Sequence, residues 1–81
     1  MKKNIKEVLL EAIKKDLIGH SIEVNLFDVK VIARNITNVD LAPFIRGIEI
    51  EGDIEVKVRG GHVANYDRYN LHSSFNYQII D

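Results

Sequence analysis

The hydrophobic residues follow two different periods, and the change from one to the other divides the chain. Near its start, apolar side chains recur at the spacing of one helix face, at Ile5, Val8, Leu9, Ala12 and Ile13. Asn4 precedes them and is a residue type that caps helices. Gly19 follows and is the residue type that most often lies just beyond a helix end. The pattern predicts an amphipathic helix over about residues 4–18.

Beyond Gly19 apolar and polar residues alternate, as they do in a strand with one buried face. Even-numbered positions are apolar over 22–26, and odd-numbered positions are apolar from Phe27 to Ala33. A slip of one residue sends side chains to the opposite face of a sheet. We therefore expect either a turn or a bulge between Leu26 and Asp28.

The stretch 48–59 has the most regular alternation in the chain, with Gly52 at one apolar position. A three-residue hairpin centred on Gly52 would pair Ile50 with Ile54, so the pattern favours a three-residue loop over a two-residue one. A continuous strand bent at Gly52 is the alternative.

The remaining segments are interpreted from turn-forming residues and from the last alternating run. Residues 35–43 and 62–68 are predicted to be loops, and Gly60–Gly61 is predicted to be a turn. Alternation from Tyr69 to Ile79 predicts a final strand.

These elements predict a single α+β domain over residues 1–81. The N-terminal amphipathic helix would pack on an antiparallel sheet of four to five strands between about residues 20 and 80. A small half-closed β-barrel capped by the helix is the alternative. Because a chain of 81 residues can bury only a small core, we expect a homo-oligomer, with a dimer as the expected state.

Composition narrows the classes of function. The absence of cysteine excludes a disulfide framework, a thiolate zinc site and a cysteine nucleophile. There is no GxSxG, P-loop or GxGxxG pattern, so the sequence predicts no enzyme and no cofactor. No apolar run is long enough to span a membrane, and charges at Lys6, Glu7 and Glu11 interrupt the place of a signal peptide. We therefore expect a cytoplasmic protein without membrane association.

Three residues are candidates for a metal site. His62, Asp67 and His72 would supply two imidazoles and a carboxylate if their predicted loop folded back on the last strand. Their spacing matches no metal-binding motif, so the sequence favours ordinary surface residues and no metal.

Acidic residues alternate on the polar side of the 48–59 stretch, at Glu49, Glu51, Asp53 and Glu55. In a continuous strand their spacing of about 6.6–6.8 Å is similar to that of successive phosphates. Such a row would mimic a nucleic acid and bind a basic groove. The sequence favours the simpler interpretation, a solvated, charged strand face that discourages aggregation.

The candidates for a protein-binding surface lie near the predicted 60–69 loop. They are Tyr66, Arg68 and Tyr69, with Arg59 at its start. Tyrosine and arginine are enriched in protein interfaces, and the same combination can stack on bases. With 11 Lys and Arg against 12 Asp and Glu, the chain has no strongly basic character, so nucleic-acid binding is not favoured.

We therefore expect a non-enzymatic protein-binding or assembly module whose partner is another protein. The high content of Ile, Asn and Lys is typical of AT-rich genomes, which favours a bacterial or phage source and an inhibitor or accessory protein of a mobile element. The alternatives are the acidic nucleic-acid mimic and a small enzyme or nucleic-acid-binding protein with its site at a subunit interface.

Overall fold

One short helix lies on a five-stranded antiparallel sheet. The computed structural model describes residues 5–42, 47–72 and 75–81, and for residues 5–10 it describes the backbone alone. The elements in chain order are α1 (Ile5–Leu17), β1 (Ile22–Asn25), β2 (Val29–Leu41), β3 (Gly47–Val58), β4 (His62–His72) and β5 (Gln78–Ile79). The strand order is β4-β3-β2-β1-β5. The predicted α+β class is confirmed, and the described sheet is open, so the barrel alternative is wrong.

The predicted helix is confirmed, and it is joined to the central strand at its end. Leu17 is fully buried, and Ile13, four residues earlier on the same stripe, packs against the core. Ala12 was expected on that face but is exposed, because it lies about 100° around the helix axis from Ile13. Gly19 has a φ of +86°, and its N–H donates to the carbonyl of Ile36 at 2.8 Å. The predicted cap, Asn4, lies outside the described residues.

The slip between Leu26 and Asp28 is a turn. The N–H of Leu26 donates to the carbonyl of Val29 at 2.7 Å, and Asn25 pairs with Lys30. Phe27, which the alternation places with Val29, lies instead in the turn with 95% of its side chain exposed. The turn removes Phe27 from the buried face.

The middle of β2 contains a bulge. Arg34 pairs with Asp53 and Asn38 pairs with Glu51, so three residues of β2 face Gly52 alone. A Cβ on Gly52 would lie 2.9 Å from the carbonyl oxygen of Arg34, so only glycine fits there without a shift. Of the two possibilities left open at Gly52, the continuous strand forms and the hairpin does not, because β3 runs through Gly52 from Gly47 to Val58. The predicted 35–43 loop is wrong as far as Leu41, because the bulge interrupts the alternation of a continuous strand.

The predicted 62–68 loop is also wrong, because β4 runs without interruption from His62 to His72. The turn before it is confirmed: Gly60 and Gly61 have φ values of +99° and +93°. The predicted final strand is divided between the end of β4 and the two residues of β5.

The core lies between α1 and one side of the sheet. Its buried members form one cluster: Leu17, Ile22, Val24, Val31, Ala33, Ile36, Val39, Ile48, Ile50, Ile54, Val56 and Leu71. We call the side of the sheet that carries this cluster the core side and the opposite side the polar side. The helix contacts β2, the central strand, so the core lies beneath the middle of the sheet. Within the described residues, no helix has the length and apolar character needed to cross a bilayer.

Candidate functional site

The two edges of the sheet differ in length and in how they are covered. The strand β5 forms one edge with two residues, and β4 forms the other with 11 residues. An edge strand presents unpaired N–H and C=O groups and therefore offers a template for another strand. The longer edge is the one with the larger capacity for such pairing.

Polar contacts hold the short edge. Asp81 accepts a hydrogen bond from the N–H of Ser21 at 2.7 Å, and its other carboxylate oxygen lies 2.8 Å from His20 Nδ1. The hydrogen bond from Ser21, followed by the one with His20, lowers the pKa of Asp81. The N–H of Ile80 donates to the carbonyl of Ser21 at 2.9 Å. We call residues 75–81 with these contacts the closed edge.

Tyr77 attaches the same segment to the helix. Its hydroxyl donates to Asp16 Oδ2 at 3.0 Å, and its ring lies 5.5 Å from that of Phe75. Both rings pack against the core. Partial burial, together with the hydrogen bond and the charge of Asp16, raises the pKa of Tyr77.

The long edge lacks two of the usual devices against pairing. Its residues 62–72 include no proline and no lysine, which are the residues that commonly protect an edge. Val63 and Tyr66 are 53% and 46% exposed, and the rings of Tyr66 and Tyr69 are 5.8 Å apart. We call β4 with its outward-facing side chains the open edge.

A shallow depression of about 700 Å³ lies beside the open edge, on the polar side. It is lined by Asn35, Thr37, Glu51, Gly52, Asp53, Asp67 and Arg68. Arg68 Nε lies 3.3 Å from Glu51 Oε1, and Asn35 Nδ2 donates to Asp53 Oδ2 at 3.1 Å. The bulge of β2 and the middle of β4 therefore meet at one polar surface that carries both signs of charge.

The structure brings together three of the four predicted protein-binding residues. Tyr66, Arg68 and Tyr69 lie in the middle of β4. Arg59 lies at the β3–β4 turn, 3.9 Å from a carboxylate oxygen of Asp28, and is separate from them. The candidate surface is therefore the middle of a strand and not a loop.

The acidic row lies on one continuous strand, which meets the geometric condition for the mimic. Its members Glu49, Glu51, Asp53 and Glu55 belong to β3. Glu51 contacts Arg68, and Glu55 lies 3.6 Å from Arg34 Nη1 and 3.5 Å from Lys57 Nζ. These cations reduce the negative potential of the row.

The metal candidates His62, Asp67 and His72 do not converge. They lie along the same strand, and ten residues of extended chain separate the two histidines by about 33 Å. The folding back that would bring them together does not occur. Among the described residues, no group of three His, Asp or Glu side chains has an arrangement suited to a metal ion.

Sequence reasoning missed the exposed position of Phe27 and the strand character of residues 62–68. Asn25 and Asp28, which favour turns, flank Leu26 and Phe27 and were the available signal for the turn. For β4 no such signal exists, because its alternation changes phase in the middle.

Comparisons with models of protein families, with curated proteins and with solved structures found no match to this chain.

Proposed function

We propose that this chain is a small non-enzymatic protein-binding module that receives a strand of its protein partner along the open edge. The observation that carries the proposal is the 11-residue edge strand without lysine or proline. Strand addition to such an edge provides affinity through main-chain hydrogen bonds. As an inhibitor or accessory protein of a mobile element, the module would act in the cytoplasm by occupying part of its partner.

Side chains beside the edge would provide the specificity. Tyr66 and Tyr69 present aromatic surface on the core side, and Asp67 and Arg68 present opposite charges beside the depression. Tyrosine and arginine supply much of the binding energy in protein interfaces. A partner strand would therefore meet an aromatic pair on one side and a charged pair on the other.

The proposal is tested by capture of partner protein with a double variant, Tyr66→Ala with Arg68→Ala. The matched control is Phe27→Ala with Arg59→Ala, which also removes an exposed aromatic ring and a guanidinium but lies at the turns. We expect the edge variant to keep its fold by circular dichroism and to lose the captured protein, and the control to retain it. Equal capture by both variants would overturn the proposal.

The acidic row supports a second candidate, the nucleic-acid mimic, because β3 is continuous across Gly52. If the row is such a mimic, the chain binds a basic groove, and we expect this complex to weaken when Glu49, Glu51 and Glu55 are changed to Gln. We also expect the affinity of this complex to fall with added salt, because salt screens exposed charges. An affinity that is insensitive to salt would exclude it.

A further inference from the structure

In the middle of the open edge, the alternation of core-side and polar-side residues changes phase. This change of phase restricts which strand can pair with the edge. Buried Ile50 and Ile54 of β3 are four residues apart, whereas their partners Tyr69 and Tyr66 are three residues apart. The contact between the two tyrosine rings shows that both lie on the same side of the sheet. Asp67 and Arg68 therefore both lie on the polar side, where they line the same depression.

We infer that the strand received by the open edge is β4 of a second copy of this chain, antiparallel and related by a two-fold axis between Asp67 and Arg68. The inference rests on the proposed function, since it names the partner of the same edge. Two open sheets of five strands would thereby form one sheet of ten.

The change of phase decides where the axis lies. A two-fold axis normal to the sheet keeps each side chain on its own side, so core-side residues must pair with core-side residues. In a strand that alternates regularly, such an axis passes between two copies of the same residue. Here the matching requires Tyr66 to lie opposite the partner's Tyr69, because Asp67 and Arg68 interrupt the alternation between them.

The residue order of the strand is complementary to itself in this register. Outward from the axis, the pairs are Asp67 with the partner's Arg68, Tyr66 with the partner's Tyr69, Asn65 with the partner's Asn70, Ala64 with the partner's Leu71, and Val63 with the partner's His72. The three central pairs match opposite charges, aromatic rings and amides, and Ala64 lies opposite another apolar residue. Aromatic and opposite-charge pairs across strands are stabilising, and like charges directly opposite are destabilising.

Neighbouring registers lack this complementarity. An axis on Asp67 would place two carboxylates opposite each other, and an axis on Arg68 would place two guanidinium groups opposite each other. Both would also pair core-side tyrosines with polar-side residues. Charge and phase therefore favour the same arrangement independently.

The first test is a charge exchange followed by analytical ultracentrifugation. The wild type is expected to sediment with twice the mass of one chain. Either variant alone, Asp67→Arg or Arg68→Asp, would place two like charges opposite each other in both central pairs. We therefore expect each variant to associate at least tenfold more weakly than the wild type. A mixture of the two variants restores opposite charges in both pairs, so it is expected to form the dimer again.

A matched control is Asp40→Arg, which makes the same change of charge on β2, two strands in from the open edge and opposite Glu49. It is expected to leave the dimer intact. Failure of the mixture to associate when both variants fold would overturn the register.

The second test uses the absence of cysteine in the chain. Asn65→Cys and Asn70→Cys would lie opposite each other, and directly opposed residues in antiparallel strands are close enough for a disulfide. We expect mild oxidation to crosslink a mixture of the two variants and neither variant alone. Crosslinking of Asn65→Cys with itself would overturn the inferred axis.

The two levels of the proposal fail separately. A wild type that remains monomeric at millimolar concentration overturns the second copy as partner. If such a monomer still captures another protein in an edge-dependent manner, the proposed function stands. If that capture is also unaffected by the edge variant, both fail.

Discussion

The closed and open edges of the same sheet are built in opposite ways. The closed edge contains a strand of two residues, and side chains of Tyr77 and Asp81 attach it to α1 and to the residues just before β1. The open edge is a strand of 11 residues whose side chains mostly face solvent. A sheet edge that is long and uncovered can receive another strand, and within the described residues side-chain contacts of this kind tie down β5 but not β4.

The tyrosines of the two edges show what this difference means. Tyr77 is half-buried, packs on the core and donates to Asp16. Tyr66 is nearly half exposed and contacts Tyr69 of its own strand. Similar side chains therefore contribute to folding at one edge and remain available for binding at the other.

The largest expected effect comes from the glycine at the start of β3. Gly47 pairs with His72, and a Cβ at this position would overlap the carbonyl oxygen of Leu71 in β4. Gly47→Ala is expected to push the end of the open edge away and to destabilise the fold by about 2–3 kcal/mol in urea denaturation.

Gly60→Ala is the control, because a Cβ there meets no atom within 4 Å and only the positive φ opposes it. It is expected to cost about 1 kcal/mol. An equal loss of stability in both variants would show that the contact with Leu71 has no effect of its own.

The second prediction breaks the closed edge. Tyr77→Ala removes a partly buried ring from Phe75 and the core, so we expect a loss of about 2 kcal/mol in the free energy of unfolding. Tyr77→Phe removes only the hydrogen bond to Asp16 and is expected to cost about 1 kcal/mol. Equal costs for both changes would assign the whole effect to the hydroxyl.

The third prediction concerns the tyrosine of the open edge. Tyr66→Ala is expected to change the free energy of unfolding of the monomer by less than about 1 kcal/mol, because the side chain is 46% exposed. The same variant is expected to weaken self-association in ultracentrifugation. A loss of stability equal to that of Tyr77→Ala would contradict the difference between the edges.

The smallest effect concerns the pH dependence of the closed edge. The pKa of Asp81 lies below its ordinary value of 3.8, mainly because the N–H of Ser21 donates to the carboxylate. A lowered pKa in the folded state contributes stability above the ordinary value, and this contribution is lost as the pH falls through the lowered pKa. Wild type is therefore expected to be more stable than Asp81→Asn near neutral pH.

The gap between these two proteins is expected to close in acid, which urea denaturation at several pH values measures. A gap of unchanged size at all pH values would show that the charge of Asp81 does not contribute.

Regular alternation determined which elements could be predicted. The helix over 5–17, the first strand and the turn at Gly60–Gly61 follow from local periodicity and from residues that favour turns. The part of β2 after Ala33 could not be predicted, because its next buried residues, Ile36 and Val39, follow at intervals of three positions and not two. The first part of β4 could not be predicted as a strand, because its core-side residues change from even to odd numbers between Tyr66 and Tyr69.

The candidate site was predicted in part for the same reason. Residue chemistry identified Tyr66, Arg68 and Tyr69, because tyrosine and arginine are typical of interfaces wherever they lie. Their position on an edge strand, and the position of Asp67 between them, depend on which strand ends the sheet. Strand order is a property of distant segments and is not encoded in any local pattern.

The amino-acid sequence by itself determined the helix, the periodic strands, the absence of cysteine and the near balance of charge. The tertiary structure decided which strands lie at the edges, where the bulge of β2 meets Gly52, and that Phe27 is exposed at a turn. Periodicity reports only which side of a strand a residue faces, whereas hydrogen bonds between distant segments decide which strand it pairs with. β4 is an edge because it pairs with β3 on one side and no described strand lies on its other side.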